Sequence, residues 1–475
     1  MLKNHILDKL IQSLEHHPTN SQQKLMDGLA EFILSRKKQE VYLIKGYAGT
    51  GKTTTIKALI RTLASFRIKS VLMAPTGRAA KVISGYTSKP AFTIHKKIYR
   101  QKSASDGLGD FVLEKNLHKN TYFIVDEASM ISNQSFEMSS FGSGRLLDDL
   151  IKYTYESTGC KLILIGDTAQ LPPVKMELSP ALDIKQLEGF GLTVKESFLA
   201  DILRQSKESG ILSNATNIRQ VMYEDPSSFP VIHYEEFSDV EYLSGADLVE
   251  TISDTYDKFG IEETVIITRS NKRANNFNQG IRNQILWREE ELSQGDYLMI
   301  VKNNYFWAEE EDEIDFIANG DVAEVVAIDG YQELYGYKFA DVVLRFIDYG
   351  DLELDVKILL DTIHSNSASL SKEENRELYN RIAEDYQDVK TKKERYGKIK
   401  ANPYFNALQV KFSYAVTCHK AQGGQWRAVF VDHGFINEEM VNREFYRWIY
   451  TAFTRATEKL YLINFHKSFF EKEPY

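Results

Sequence analysis

The sequence has few cysteines and no long apolar run, and these two absences exclude several classes of protein. Cys160 and Cys418 are too few for a disulfide framework or for a cysteine-based zinc site. No stretch approaches the roughly 18 consecutive apolar residues that a membrane-spanning helix needs. The N-terminus, MLKNHILDKLIQSLEHH, lacks the apolar core and the small-residue cleavage site of a signal peptide. We therefore predict a cytoplasmic protein that works away from membranes.

The chain also lacks an overall excess of positive charge, but its charge is unevenly distributed. It has 58 Lys and Arg against 67 Asp and Glu, a net charge of −9. Residues 36–100 nevertheless contain 15 basic residues and a single acid, Glu40, so this segment is strongly positive. Such a block indicates a partner rich in phosphates, although a solvated helix face would produce the same run.

Apolar runs alternate with helical patterns along most of the chain, and each run ends in polar residues. This order is typical of parallel sheets covered by helices, which bind ligands at the carboxyl edge of their strands. The runs form two groups, 41–46, 70–75, 121–127 and 161–167 in the first, and 264–270, 415–423, 428–434 and 459–465 in the second.

Between the two halves of the second group the pattern changes. Residues 295–405 contain alternating polar and apolar segments with Gly-Asp turns, which predict a small β-barrel. Within this insertion, residues 366–400 predict one charged, solvent-facing helix. We therefore expect a first α/β domain with N-terminal helices over 1–180, a second over 181–294 and 406–475, and the barrel over 295–405.

One segment between a predicted strand and a predicted helix matches the phosphate-binding pattern G-x-x-x-x-G-K-[ST]. Its glycines let the backbone N–H groups face phosphate oxygens, and the following helix adds its positive end. Lys52 is predicted to neutralise the β and γ phosphates and Thr53 to ligate Mg²⁺. The predicted ATP-binding residues here are Gly46, Tyr47, Ala48, Gly49, Thr50, Gly51, Lys52, Thr53 and Thr54.

Two acids follow the predicted strand TYFIV, where a magnesium site is expected beside a phosphate-binding loop. Asp126 is the candidate magnesium ligand, and Glu127 is the candidate base that orients and deprotonates water. A pair of solvated turn carboxylates is the alternative. The guanine-selecting N-K-x-D motif is missing, which favours ATP, and no LSGGQ-type signature indicates a transporter ATPase.

Five further segments, in order and spacing, resemble the motif series of superfamily 1 helicases. The branch they resemble is RecD-like and phage Dda-like, with Pif-type relatives, and the resemblance runs from about Thr19 to Phe465. It implies two RecA-like P-loop NTPase domains, with a β-hairpin inserted in the first and an SH3-like barrel in the second. The segments are APTGRAAKVI (74–83), FTIHKKI (92–98), GDTAQLPPV (166–174), YAVTCHKAQGGQW (414–426) and YTAFTRATEKLY (450–461).

The resemblance also implies roles for residues around the nucleotide. Gln22 resembles the glutamine that reads adenine, with its neighbour Gln23 as the other possible register. Gln170 resembles the γ-phosphate sensor, and Gln422 is expected near the nucleotide. Two arginines of the second domain, Arg204 and Arg455, resemble cations that reach the transferring phosphoryl group when the domains close, and a surface residue is the alternative for Arg204.

Further residues are implied to contact a single DNA strand through its phosphates. They are Pro75, Thr76, Arg78, Phe92, Thr93, His95, Thr417, His419 and Lys420. Phe92 could stack on a base or belong to the core, and lone histidines are more often structural.

Two insertions complete the resemblance. Residues 96–120 read as a β-hairpin, which in this family is the wedge that splits the duplex. The turns 303–305 (Asn-Asn-Tyr) and 319–321 (Asn-Gly-Asp) resemble those of the family's barrel. Nothing in the sequence looks like a nuclease site.

The sequence thus predicts an ATP- and Mg²⁺-dependent DNA helicase that moves 5′ to 3′ on single strands. Its expected partners are single-stranded and tailed duplex DNA, and a monomer is expected. A single-stranded-DNA-binding protein or recombination proteins are further candidate partners, in DNA repair or recombination. Two alternatives stay open: a motor subunit of a larger recombination complex, and an ATPase that remodels RNA or RNA–DNA hybrids.

Overall fold

The first domain is built around a six-stranded parallel sheet with the strand order β3-β2-β6-β7-β1-β8. The structure is a computed structural model that describes residues 2–101, 111–134, 142–202, 208–308, 314 and 316–470. Four of the strands are the apolar runs of the first predicted group. The six strands are β1 (Glu40–Gly46), β2 (Lys69–Ala74), β3 (Ala91–Thr93), β6 (Thr121–Val125), β7 (Lys161–Gly166) and β8 (Thr193–Leu199).

The position of β8 corrects the predicted domain boundary. This strand pairs with β1 from Thr193 to Leu199, so the first domain continues well past residue 180. Only Leu199 is fully buried in β8, because the strand lies at the edge of the sheet. An edge strand with polar, half-exposed residues shows no apolar run, and the sequence pattern therefore missed it.

Helices cover both faces of this sheet and include the N-terminal helices that the sequence predicted. The second of these helices begins after Thr19, whose side chain forms a capping box with Gln22. The helices are α1 (Leu2–Gln12), α2 (Asn20–Leu34), α3 (Lys52–Ser65), α4 (Gly77–Thr87), α5 (Ile94–Ile98), α6 (Leu146–Glu156) and α7 (Ile184–Gly189).

A short antiparallel hairpin lies where the wedge was predicted. Its strands are β4 (Tyr99–Gln101) and β5 (Phe111–Leu113). The predicted tip, residues 102–110, lies outside the described residues. At the base of the hairpin, the ring of Phe111 lies 4.5 Å from that of Tyr305 and 6.1 Å from that of Phe316. The hairpin base is therefore packed against the insertion that carries the barrel.

The second domain contains a five-stranded parallel sheet with the order β16-β10-β17-β18-β9. Every residue of its strand β10 is buried. The strands are β9 (Val240–Leu243), β10 (Thr264–Thr268), β16 (Ala415–Thr417), β17 (Trp426–Asp432) and β18 (Ala456–Ile463). The helices are α8 (Gly210–Glu224), α9 (Leu248–Phe259), α10 (Asn271–Gln284), α13 (Cys418–Ala421) and α14 (Arg443–Phe453).

The predicted barrel is confirmed as a closed barrel of five strands. Its last strand lies beyond the predicted limit of residue 405, so the barrel reaches position 412. A return strand is needed to close the barrel between its first and fourth strands. The strands are β11 (Tyr297–Ile300), β12 (Val322–Leu334), β13 (Tyr337–Phe346), β14 (Leu352–Leu359) and β15 (Leu408–Phe412).

The charged segment 366–400 forms two helices instead of the single helix predicted. They are α11 (Lys372–Glu384) and α12 (Lys392–Lys400). Leu378, Ile382 and Ile399 are buried against Phe339 and Leu359 of the barrel. The pair therefore turns an apolar stripe toward the barrel and is not wholly solvent-facing. None of the helices in the described part of the chain has the length and apolar character needed to span a bilayer.

Candidate functional site

The phosphate-binding pattern forms a tight loop between β1 and α3, as the sequence predicts. Gly49 and Gly51 have φ angles of +73° and +82°, a conformation that disfavours other residues. Gly51 is the last residue before α3, which begins at Lys52. A Cβ atom on Gly46 would lie 2.9 Å from Leu199 Cβ and 3.1 Å from Lys52 Cγ. Glycines are thus required here both by torsion angles and by lack of space.

The Lys52 ammonium lies over this loop. Its Nζ donates hydrogen bonds of 2.9 Å to the carbonyl oxygens of Gly46 and Tyr47. It also lies 3.7 Å from Oδ2 of Asp167, which follows β7 directly. A lysine held in this way presents one positive charge to the concave side of a loop whose shape suits a phosphate chain.

Asp126 and Glu127 lie at the carboxyl end of β6, as predicted. Burial and the neighbouring charge of Glu127 raise the pKa of Asp126 to about 7, and Lys52 opposes this shift. The backbone of Glu127 is in the left-handed region, with φ +52°, and its N–H donates to Asp126 Oδ1 at 2.9 Å. A left-handed non-glycine residue is strained, and such residues concentrate at functional sites.

The residues present fit a magnesium ion. A cation beside Asp126 would favour its charged form and so counteract the rise in its pKa caused by burial and Glu127, and Thr53 follows Lys52 in the first turn of α3. No cluster of three or more His, Cys, Asp or Glu able to hold a metal occurs in the described residues. Mg²⁺ commonly takes one or two protein oxygens and fills the other positions with phosphate oxygens and water. Thr53 and Asp126 would provide such a minimal set.

The predicted sensor Gln170 is buried near the end of β7. Its Oε1 finds no hydrogen-bond partner among the described residues. An unpaired buried acceptor costs roughly 1–3 kcal/mol, so this group is suited to a ligand or a bound water. The main-chain segment before it is held by a 2.9 Å hydrogen bond from Ala169 N–H to Asp167 Oδ1.

The two glutamines at the start of α2 differ in their placement. Gln22 is fully buried, and its Nε2 donates to the carbonyl of Thr50 in the phosphate-binding loop at 3.4 Å. Gln23 is exposed. Gln22 is therefore the glutamine that lies at the nucleotide loop, while its Oε1 accepts from Thr19 N–H in the capping box.

The second domain contacts this site through α14 and the segment after α13. The Tyr450 hydroxyl accepts a hydrogen bond from Ala48 N–H at 2.8 Å and donates to Asp167 Oδ2 at 2.7 Å. Thr451 Oγ1 accepts from Leu171 N–H at 2.9 Å, and Gln422 Nε2 donates to Leu171 O at 2.6 Å. The two domains therefore meet at the loop and at the end of β7, and the predicted place of Gln422 near the nucleotide stays a prediction.

The two predicted arginines differ in what the structure shows of them. Arg455 is buried just beyond α14, and its guanidinium donates to the carbonyls of Thr451 and Gly424 and to Thr454 Oγ1. All three acceptors belong to its own domain, so its contact with a phosphate stays a prediction. Arg204 lies outside the described residues.

Two residues at the site were missed by sequence reasoning. The guanidinium carbon of Arg219, on α8, lies 3.9 Å from the ring centroid of Tyr47. Arg219 follows no motif that could have identified it. Tyr450 begins the matched segment YTAFTRA, and its position next to a conspicuous arginine motif was the available signal.

The threonines predicted to contact DNA lie at strand ends and differ in whether their side chains cap a helix. Thr76 caps α4 by accepting from Ala79 N–H at 3.2 Å, and Thr93 caps α5 by accepting from Lys96 N–H at 3.1 Å. Thr417 precedes α13 and makes no capping hydrogen bond. Pro75 follows β2 directly. The exposed side chain of His419 lies in α13.

Other side chains that were predicted to contact DNA are buried or contact other groups of the protein. The guanidinium carbon of Arg78 lies 4.3 Å from the Trp426 ring centroid, and burial lowers its pKa. Lys420 Nζ donates to Asn319 Oδ1 of the barrel, and burial lowers the pKa of Lys420 to about 8. Burial also lowers the pKa of His95 to about 4.

A cavity of about 430 Å³ separates the first domain from the barrel. Phe92 and Thr93 line it together with Lys81 and Lys96, and Tyr349 closes the barrel side. This cavity brings two predicted DNA residues together with basic side chains. The DNA track as a whole stays a prediction.

Two parallel sheets, the first ending in a phosphate-binding loop that the second domain touches, define a P-loop NTPase with two RecA-like domains. Comparison with known families agrees: residues 19–221 match an AAA domain, and residues 412–463 match the UvrD-like helicase C-terminal domain.

Several known proteins are similar in sequence. The ATP-dependent RecD2 DNA helicase of Deinococcus radiodurans is 29% identical over 42% of this chain and 24% of its own length. The ATP-dependent DNA helicase dda of Enterobacteria phage T4 is 29% identical over 39% of each chain. An uncharacterized protein of Acanthamoeba polyphaga mimivirus is 25% identical over 92% of this chain and 98% of its own. The chain thus spans a minor part of the two helicases and nearly all of the viral protein.

Among solved structures, Pif1 helicase from Bacteroides in complex with ADP-AlF3 and ssDNA matches 97% of this chain and 95% of its own. Its identity is 17% and its TM-score 0.48, and at that score the likeness adds no weight. By its domain matches and its sequence relatives, the chain resembles the Pif1- and RecD-like helicases of superfamily 1B, and it shares similar segments with the RecD2 and Dda DNA helicases.

Proposed function

We propose that the protein hydrolyses Mg²⁺-ATP between its two domains and thereby moves 5′ to 3′ along single-stranded DNA, unwinding the duplex ahead. The observation that supports this most is the contact of Tyr450 and Thr451 with the phosphate-binding side of the first domain. Both residues lie in the last turns of α14, and Arg455 follows two residues after that helix ends. A movement of the second domain would therefore act directly on the nucleotide site.

In this proposal, Lys52 neutralises the β and γ phosphates while Thr53 and Asp126 hold the magnesium ion. Magnesium, when bound, supplies positive charge at the phosphate oxygens. Glu127 orients and deprotonates the attacking water, and Gln170 contacts the γ-phosphate side. Arg455 leaves its own-domain carbonyls to face the transferring phosphoryl group as the domains close, which couples hydrolysis to closure.

The DNA strand in this proposal crosses the carboxyl edges of both sheets. Thr76, Thr93 and Thr417 lie at such edges. The hairpin base, packed against Tyr305 and Phe316, would give a wedge a firm support. Separating one base-pair step costs about 1.4 kcal/mol on average, which a rigid wedge and an ATP-driven pull can supply. We further propose that the protein acts on DNA as a monomer.

A tailed-duplex unwinding assay tests the proposal. Duplexes with a 5′ tail are expected to be unwound with ATP and Mg²⁺, and duplexes with a 3′ tail are not. Glu127→Gln should bind ATP and stall, and it serves as the matched inactive control. Unwinding from the 3′ tail alone would overturn the polarity, and RNA stimulating the ATPase more than DNA would overturn the substrate class.

A further inference from the structure

The hydroxyl of Tyr450 joins the two domains at the nucleotide site through two hydrogen bonds. It accepts from Ala48 N–H at 2.8 Å and donates to Asp167 Oδ2 at 2.7 Å. The ring is 1% exposed, and burial beside Asp167 raises the pKa of Tyr450 well above its ordinary value. The hydroxyl therefore keeps its proton and its donor role throughout the pH range in which the protein works.

Both partners of this hydroxyl belong to the phosphate-binding machinery. Ala48 lies in the loop itself, and Asp167 Oδ2 is 3.7 Å from the Lys52 ammonium. A buried carboxylate is costly unless its charge is neutralised and its oxygens accept hydrogen bonds. The Tyr450 hydroxyl satisfies one oxygen and Ala169 N–H the other, so Asp167 can stay near Lys52 without forming a close ion pair with it.

We propose that Tyr450 is a positioning residue that holds both the loop amide of Ala48 and the carboxylate of Asp167, and so keeps Lys52 available to the nucleotide phosphates. Because Tyr450 lies on α14, it transmits movement of the second domain to the phosphate-binding loop. Without the hydroxyl, Asp167 draws the Lys52 ammonium toward itself and the loop loses its support from the second domain. This inference rests on the proposed ATPase and adds a named mechanical link to it.

The test is Tyr450→Phe, which keeps the buried ring and removes only the oxygen. We expect the DNA-stimulated kcat for ATP hydrolysis to fall about tenfold, as for the loss of one or two buried hydrogen bonds. The KM for ATP is expected to change less than kcat, by at most about threefold, because the loop amides and Lys52 remain present.

Tyr446→Phe is the matched control. Tyr446 lies one turn earlier on the same helix, is fully buried, and donates its hydroxyl to Ser228 O at 2.7 Å, away from the nucleotide site. Its kcat and KM should stay near those of the wild type, while its midpoint of thermal unfolding should fall as much as that of Tyr450→Phe. Equal kinetic effects of the two substitutions would show that the hydroxyl is merely structural and would overturn the proposal.

A second variant tests the part that Asp167 plays in this loss of activity. Asp167→Asn removes the charge that would draw Lys52 away, so in this background the proposal expects Tyr450→Phe to lower kcat by no more than about threefold. A fall of about tenfold in the Asp167→Asn background as well would overturn the proposal. Failure of the proposed function can be told apart from failure of this inference. If DNA does not stimulate the wild-type ATPase, the kcat and KM of basal ATP hydrolysis can still be compared between the wild type and the variants.

Discussion

The predicted nucleotide-binding residues and the predicted DNA-binding residues differ in whether their side chains are already placed to contact a ligand. On the nucleotide side, the loop, Lys52 and Asp126 come together, and Gln170 keeps an acceptor without a partner among the described residues. On the DNA side, Arg78 lies under Trp426 and Lys420 bonds to the barrel. The phosphate-binding loop is preformed, whereas the predicted DNA surface depends on how the two α/β domains and the barrel are arranged.

This difference has a physical cause. The cradle follows from backbone torsions and from a helix start, both of which lie within a few neighbouring residues. The predicted DNA surface combines strand ends of two sheets with turns of the barrel. A shift of one unit therefore changes the surface without altering the loop.

The largest expected effect comes from Lys52→Ala, which breaks the nucleotide side alone. Loss of this charge should lower kcat for ATP hydrolysis by about 1,000-fold or more, since phosphoryl transfer depends on electrostatic stabilisation. Binding of labelled single-stranded DNA, followed by fluorescence anisotropy, should stay within a few-fold of the wild type. A parallel loss of DNA binding would contradict the separation of the two sides.

Arg455→Ala should have the next largest effect. If its guanidinium turns from Thr451 and Gly424 to the phosphoryl group on closure, kcat should fall about 100- to 1,000-fold. Affinity for a fluorescent ADP should change little. Arg455→Lys is the matched control and should recover only part of the rate, because a lysine lacks the fork of donors. If Arg455→Ala kept full activity, Arg455 could not be the cation that stabilises the transferred phosphoryl group.

Gly77→Ala should disturb the DNA side selectively. A Cβ atom there would lie 2.9 Å from Asp321 Oδ1 and 3.0 Å from the Tyr349 hydroxyl, so these side chains, or the barrel that carries them, must shift away from α4. We expect affinity for single-stranded DNA to change about three- to tenfold, measured by anisotropy, with an unchanged KM for basal ATP hydrolysis. Gly85→Ala is the control, since no atom lies within 4 Å of a Cβ at this position of the same helix. Equal behaviour of the two variants would argue against barrel docking as a determinant of DNA binding.

The smallest effect concerns pH. Burial lowers the pKa of Lys420 to about 8, so its ammonium is charged below pH 8 and loses its proton as the pH rises through this value. Affinity for single-stranded DNA should therefore fall about two- to threefold between pH 7 and pH 9, by loss of one phosphate contact. Lys420→Gln should remove this pH dependence. It should also reduce the slope of log binding constant against log salt concentration by about one. If Lys420→Gln showed the same pH dependence as the wild type, another titrating group would be its cause.

Prediction from sequence succeeded wherever a pattern was local. The strands that end in Gly46, Val125 and Gly166 and the barrel were all predictable from apolar runs and turns. The edge strand β8 was not, since its half-exposed residues show no run. The split of 366–400 into two helices was missed for a related reason, because its few apolar residues pack on a barrel surface that the segment itself does not reveal.

The sequence by itself determined the phosphate-binding loop, its lysine and the acids after β6, because glycine torsions, a helix start and strand ends are properties of short segments. Only the tertiary structure decided which groups of the second domain reach that loop. Ala48 and the Tyr450 hydroxyl are separated by 402 positions, and Arg219 meets Tyr47 across the same boundary. Contacts over such distances are chosen by the packing of whole domains, and no local pattern of residues records them.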